Sequence, residues 1–345
     1  MTIKGAQAGV DARTRGAVPE SIVSNGAGDF QIEANNVTID GFTLTGVVSD
    51  PSSPPFTGLG AAIWTNPGFS GTNGGHQILN NIIQGNIGGI ELDNDGTFAT
   101  KVQYNLVRNN NAPGAGSGNG IQTNFGLANA VIDNNAFVNN PNGAISIFVG
   151  GPNVSITNNT SNGQFYLAGV TGGSISGNTI TNSTSGGITL GGANSGIAIT
   201  NNEVNGVTPG FGAFRLRDDG VGANSNLTVN HNIFAAGAGA YGVRPGVGSY
   251  SGTLTISESQ ISGGLAAVQN DDAFLNVNAS LNYWGTSNPA TVAATILGAG
   301  SARVDFTPLL DNGDTAPGTV GFQSNLSSLT VHTLGAQTGP TGRIQ

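Results

Sequence analysis

The feature that most constrains this chain is a ten-residue pattern that returns along most of its length with one slot always β-branched. With slots numbered 0 to 9, slot 2 holds Ile39, Ile78, Val102, Ile132, Ile156, Ile175, Ile199, Val229, Ile256 and Val277, the residue type a buried strand position favours. Slot 5 holds Phe42, Asn81, Asn105, Asn135, Asn159, Asn178, Asn202, Asn232, Ser259 and Ser280, slot 7 is usually apolar, and slot 9 is often Gly or Asn. Successive slot-5 residues lie 39, 24, 30, 24, 19, 24, 30, 27 and 21 apart, which suits one coil of a solenoid plus loops of variable length. Such drift excludes a coiled coil.

Within each copy the alternation, as in Val154-Ser-Ile156-Thr, has the two-residue period of a strand with one buried face. A second strand, usually opened by Gly or Ala, follows most copies. Examples are Ala62-Ile63-Trp64, Gly89-Ile90-Glu91-Leu92, Gly120-Ile121-Gln122, Gly187-Ile188-Thr189-Leu190, Ala213-Phe214-Arg215-Leu216 and Gly242-Val243-Arg244. Their apolar residues should point inward and the residue between them outward. Gly and Asn supply the positive-φ corners. The expected fold is an all-β, right-handed, single-stranded parallel β-helix with about 10 or more coils. It should span residues 1–310, leaving 311–345 as a C-terminal extension or the start of a following module. The slot-5 Asn residues are expected to turn inward as a hydrogen-bonded ladder, since buried amides must be satisfied.

Composition narrows the function classes. The net charge is −9, and only ten residues are Lys or Arg, which argues against nucleic acid, whose binding depends on clustered cations. No 18-residue apolar run is present, so no membrane span is expected. With no Cys, neither disulfides nor thiolate metal sites are available, which is compatible with export. No charged segment followed by an apolar run opens the chain, so any signal peptide is expected to be removed or upstream.

The Asn-centred repeat resembles the parallel β-helix repeats of the pectin-lyase-like superfamily, over roughly residues 20 to 285. The start TIKGAQAGVDARTRG at 2–16, with Val37-Thr-Ile39-Asp-Gly41-Phe42 after it, looks like the early coils of long bacterial β-helix surface proteins. The stretches Asn282-Tyr-Trp284-Gly285 and Asp305-Phe-Thr-Pro308-Leu-Leu310 look like the close of such a module. Leu329-Thr-Val331-His332 through Gln345 looks like the opening of the next, so the chain is expected to come from a tandem array. The resemblance implies a secreted or cell-surface location. It does not imply one activity, because lyases, hydrolases, epimerases, tailspikes and adhesins share the architecture.

Three function classes follow: a structural or adhesive surface module, a carbohydrate binder, and a polysaccharide lyase or glycosidase. The first is the leading expectation, with binding to polysaccharide, and with self-association head to tail or with neighbouring modules of the same protein. The outward column of the second strand carries Trp64, Glu91, Gln122, Ser146, Tyr166, Thr189, Arg215, Arg244 and Gln269. Tyr166, Arg215, Arg217, Arg244 and Trp64 are the candidate ligand contacts, since Arg grips carboxylate and hydroxyl groups and aromatic rings offer stacking faces. Trp64, beside the Pro-rich stretch 50–57, is expected to be exposed.

Asp218, Asp219, Asp271 and Asp272 fall at the adjoining corner. They are the candidate catalytic carboxyls, Asp218 with Asp271 being a conceivable glycosidase pair. The alternative is that these acids only fasten loops by pairing with the arginines, at about 0 to 1 kcal/mol each. No cofactor and no metal site is expected. Asp93 and Asp95, in Asp93-Asn-Asp95-Gly96, together with Asp311-Asn-Gly-Asp314, have fragments of calcium-loop spacing without the closing Glu. His76, His231 and His332 are too scattered to share a ligand. Trp284 is expected to be a core or cap aromatic. The sequons at Asn36, Asn158, Asn182 and Asn226 arise from the strand pattern and imply no glycosylation.

Overall fold

The computed structural model describes residues 1–49, 60–65 and 73–331. The Pro-rich stretch 50–57, His332 and the rest of 332–345 lie outside the described residues. The structure is 3% helical, and its sheets are all parallel apart from one two-stranded pair. It is a parallel β-helix. Two compact units divide the chain, residues 1–173 and 174–345. In each, a coil contributes one short strand to each of three sheets. No helix among the described residues is long and apolar enough to cross a membrane.

In the first unit the first sheet runs through Thr2–Lys4, Thr38–Asp40, Gln77–Leu79, Thr100–Gln103, Ala130–Asp133 and Pro152–Thr157. Its register aligns Ile39, Ile78, Val102, Ile132 and Ile156. In the second unit Ile175, Ile199, Val229 and Ile256 align in the same way. All nine are buried, so the β-branched slot is an interior column. Ring pairs fill the interior between sheets: Phe137 with Phe165 at 6.4 Å in the first unit, and Phe214 with Phe234 at 5.3 Å in the second. The small residue that opens the third-sheet strand is required by a close approach. A Cβ at Gly120 would stand 2.5 Å from the carbonyl oxygen of Ala144, and one at Gly187 2.3 Å from that of Ala213.

The slot-5 asparagines form the expected ladder. Each is fully buried, and within each unit the Nδ2 of a rung donates to a carbonyl of the preceding coil, as Asn81 does to Ile39 at 3.0 Å, Asn105 to Ile78 at 2.8 Å, Asn202 to Ile175 at 2.8 Å and Asn232 to Ile199 at 2.8 Å. Its Oδ1 accepts from the main-chain N–H of the rung below, as Asn105 does from Asn81 at 2.9 Å. The residue before each rung holds a left-handed φ, for example 53° at Asn80, 54° at Asn134 and 54° at Asn201. Asn tolerates that conformation better than most residues, which explains the repeated Asn-Asn pairs.

At one rung the structure departs from the sequence alignment. Val277 pairs with Leu254 rather than Ile256, so the last copy slides by two residues. The rung is Asn282, not Ser280. Asn282 donates to the carbonyl of Ile256 at 2.7 Å and accepts from Ser259 N–H at 2.9 Å, whereas Ser280 bonds locally to Asn278. An amide carries donor and acceptor on separate atoms and serves two coils at once, whereas the Ser259 hydroxyl accepts from Asn232 N–H at 3.0 Å but donates within its own coil, to Ser257 O at 2.9 Å.

A second ladder turns the next corner of the first unit. Asn86, Asn110 and Asn140 donate to the carbonyls of Leu44, Ile83 and Val107 at 3.3, 3.1 and 2.9 Å. They sit five residues after the first rungs, one place beyond the ten-slot pattern, and so escaped it.

Segments near both ends pack across coil corners. In the first unit Ala12 N–H donates to Tyr104 O at 3.1 Å, Arg15 Nη2 to Asn80 O at 2.8 Å, and Arg13 Nη1 to Asn134 Oδ1 at 3.4 Å. In the second unit Phe322 is buried against Tyr283, its ring 6.3 Å away, and its N–H donates to His231 O at 2.8 Å. Leu309–Leu310 pairs antiparallel with Leu329–Thr330. The described part of 311–345 therefore lies on the second unit. Trp284 is buried edge-on to Phe306, 6.2 Å away.

Candidate functional site

In the second unit the third sheet includes Ile188–Leu190, Gly212–Leu216, Tyr241–Pro245 and Ala266–Gln269. Phe214, Leu216 and Val243 point into the core, so the alternating residues project outward. Thr189 is the register partner of Arg215, and Arg215 of Arg244. Arg217 follows two residues after Arg215. Three cations thus collect on one face, as the apolar alternation predicts.

Two of them are neutralised. Arg217 Nη2 meets Asp219 Oδ1 at 2.7 Å. Arg244 Nε meets Asp271 Oδ2 at 2.9 Å, its Nη1 donates to Gly210 O at 2.8 Å, and its guanidinium lies 4.7 Å from the centre of the Tyr241 ring. Gln269 donates to the other oxygen of Asp271 at 2.7 Å. Arg215 has no ion-pair partner among the described residues. Its guanidinium lies 5.9 Å from the centre of the Phe211 ring. Burial first, and then the charges of Arg217 and Arg244, lower its pKa from the ordinary value. A desolvated cation beside two others is a place where an incoming anion is favoured.

The remaining acids close loops. Asp218 Oδ1 accepts from Gly220 and Gly222 N–H at 3.0 and 3.2 Å. Asp272 accepts from Gly248 N–H through Oδ2 and from Phe274 N–H through Oδ1, at 2.9 and 2.8 Å. Asp218 and Asp271 therefore have different tasks, one capping a loop and the other holding Arg244 and Gln269.

The other candidates lie on the first unit. Tyr166 is half-buried, its ring tilted against Phe148 at 5.4 Å. Trp64, expected to be exposed, is only 2% accessible, a correction to the outward-contact reading: projecting away from the core does not mean reaching solvent when chain covers the sheet. Asp93 is buried and its Oδ1 accepts from three consecutive main-chain N–H groups, of Asn124, Phe125 and Gly126, at 3.2, 2.9 and 3.2 Å. Asp95 is exposed and binds Thr97 N–H and Oγ1 at 2.8 and 3.0 Å. The two do not converge, and among the described residues no group of three His, Asp or Glu could hold a metal ion.

The same outward column contains a group the sequence reading passed over. Glu91, register partner of Trp64 and Gln122, is 2% accessible. Its side chain interacts with that of Asp93, and Asn124 Nδ2 donates to its Oε1 at 2.9 Å. Beside it Asn119 Nδ2 donates to Gln122 Oε1 at 2.6 Å and Ser146 Oγ to Asn119 Oδ1 at 2.8 Å. Burial first, and then the Asp93 charge, push the Glu91 carboxyl up to about 9. Burial also raises Asp93, to about 6, against the pull of its three N–H donors. The only sequence cue was Glu-Leu-Asp at 91–93, which puts two acids on one face of a strand end. The chain matches no family model, no curated protein and no solved structure.

Proposed function

We propose that this chain is an extracellular structural or adhesive module, secreted or displayed at a cell surface. Its β-helix serves as the scaffold, and the arginine face of the second unit binds an acidic polysaccharide. One observation carries the reading: Arg215 lacks an ion-pair partner among the described residues, while both neighbouring cations have one. A sugar carboxylate would supply the missing charge through a two-point contact. The resemblance to pectin-lyase-like repeats supports the extracellular setting. The Asn ladders support a role in which the frame itself matters, since each rung ties two coils together.

Binding is favoured over turnover because the four acids of that face are occupied. Asp219 and Asp271 hold arginines, and Asp218 and Asp272 hold loop N–H groups, so none stands poised as a proton donor or base. The test is affinity electrophoresis in gels containing polygalacturonate, alginate or dextran. Retardation by the acidic gels alone is expected, with Arg215→Ala weakening it about tenfold, as the loss of a charge-assisted contact would. Equal retardation by dextran, or an unchanged Arg215→Ala variant, refutes the reading. New reducing ends or unsaturated uronates in the same mixtures would replace it with a polysaccharide lyase or glycosidase.

A further inference from the structure

The first unit holds a device unrelated to the arginine face. Glu91 and Asp93 belong to one coil, and their carboxyl oxygens accept from the turn of the next. Three successive N–H groups of the turn 124–126 converge on a single Asp93 oxygen, and the Asn124 side chain reaches back to Glu91. That turn carries Phe125, 52% exposed. The two carboxyls are buried two residues apart and interact side chain to side chain, a contact that is satisfied when one of them carries a proton, because two adjacent carboxylates offer only acceptors.

We infer that Glu91 and Asp93 form a one-proton latch that fastens the turn 124–126 to the preceding coil and opens when the shared proton is lost. With the proton in place Glu91 donates to Asp93, which stays a full acceptor for the turn. Loss of the proton sets two buried negative charges side by side. Their repulsion and their demand for water pull the pair apart, and the turn loses its anchor.

Among the described residues, few other groups bear on the pair. The strand Ala61–Thr65 presents Trp64 and Thr65, and Asn119–Thr123 presents Asn119, Gln122 and Thr123, none of them ionisable in this range. The turn contributes Asn124 and Phe125. Asp95, in the same loop as Asp93, binds Thr97, and its charge bears on His76, whose buried imidazole is lowered to about 4. Asp29, raised to about 7 by burial, also titrates below the latch. A slot of about 10 Å³ beside Glu91, walled by Gly60, Gly88, Gly89 and Gly116, has room for about one water.

Trp64 and Trp284 are the two tryptophans, so Trp284→Phe leaves Trp64, beside Glu91, as the reporter. Its emission should change in a single step centred near pH 9, with amide exchange at 124–126 accelerating beyond its intrinsic pH dependence over the same range. Glu91→Gln keeps the shape and a donor for Asp93 and should abolish that step. Asp93→Asn removes the like charge and should move it at least one pH unit lower. The infrared band of a protonated carboxyl in the unsubstituted protein should disappear across the same interval, a measurement that does not depend on a variant folding. Absence of that band at pH 7, or a step of unchanged midpoint in Glu91→Gln, overturns the latch.

Discussion

The outward column of the third sheet is built on one register in both units, yet it has opposite physical characters in each. In the first unit Trp64, Glu91, Gln122 and Ser146 are buried and Tyr166 is half-buried, with burial favouring the protonated form of Glu91 and Asn124 donating to it. In the second it includes Arg215 and Arg244, partly exposed and paired or awaiting a partner across the surface. The backbone cannot make that difference, since the strands pair alike. Cover makes it. Where chain lies over the sheet, a carboxyl gains more by keeping its proton than by facing ions; where solvent reaches the sheet, charges stay ionised and pair weakly.

Four measurements break or sharpen this contrast, taken in order of expected effect. The largest tests what the units share. Asn135→Ala in the first and Asn202→Ala in the second should each cost about 2 to 3 kcal/mol, because removing a rung strands buried main-chain groups in two coils. The exposed strand residues Lys101 and Thr228 should cost under about 0.5 when changed to Ala. Denaturant melts read both, and a costly rung in only one unit would show that the frames differ after all.

The second measurement separates the units by pH. A carboxyl whose folded-state pKa is raised stabilises the fold fully below its unfolded value and loses that contribution as pH climbs through the folded one. For Asp93 the window runs from 3.8 to about 6, for Asp29 from 3.8 to about 7, and for Glu91 from 4.5 to about 9. His76, depressed from 6.5 to about 4, works the other way: its contribution is present above 6.5 and falls away as pH drops through 4. From pH 6.5 to 9 the carboxyls act unopposed, so the first unit should lose stability. None of these four groups belongs to the second unit, whose stability should hold over the same interval. Melting followed through Trp64 in Trp284→Phe, and through Trp284 in Trp64→Phe, reports each unit separately; parallel declines would refute the distinction.

Asp219→Asn and Asp271→Asn come third. Each frees a guanidinium, so affinity for polygalacturonate should rise a few-fold while stability changes by under about 0.5 kcal/mol. Weakened binding would mean that the acids position the arginines rather than mask them. The smallest effect on binding is expected of Tyr166→Leu. Losing its contact with Phe148 should cost about 0.5 to 1.5 kcal/mol and leave retardation by acidic gels unchanged. A lost retardation would bring the first unit into ligand binding.

The β-branched column, the first Asn ladder and the outward register from Trp64 to Gln122 and from Thr189 to Arg244 were legible because each repeats, and repetition exposes what a single strand hides. Asn282 was misread because a slide of two residues preserves the in-and-out alternation that the alignment relied on. Trp64 was misread, and Glu91 passed over, for another reason. Alternation tells which side of a sheet a residue leaves from, and says nothing about chain that later folds over it. The four acids were legible as neighbours of the arginines, but their individual partners depend on loop paths that no periodicity encodes.

The segment around Ala12, Arg13 and Arg15 also bears on how the chain reaches and leaves its fold. Coils can form one on the next through contacts of about one repeat, but Arg13 meets Asn134 across 121 residues. Loop closure of that span costs only about 0.6 kcal/mol more than for half its length, yet it must wait until the intervening coils exist. The segment therefore acts as a clasp applied after assembly. Interactions made after the transition state slow unfolding without speeding folding, so cutting this clasp should shorten the lifetime of the folded state far more than it delays its formation.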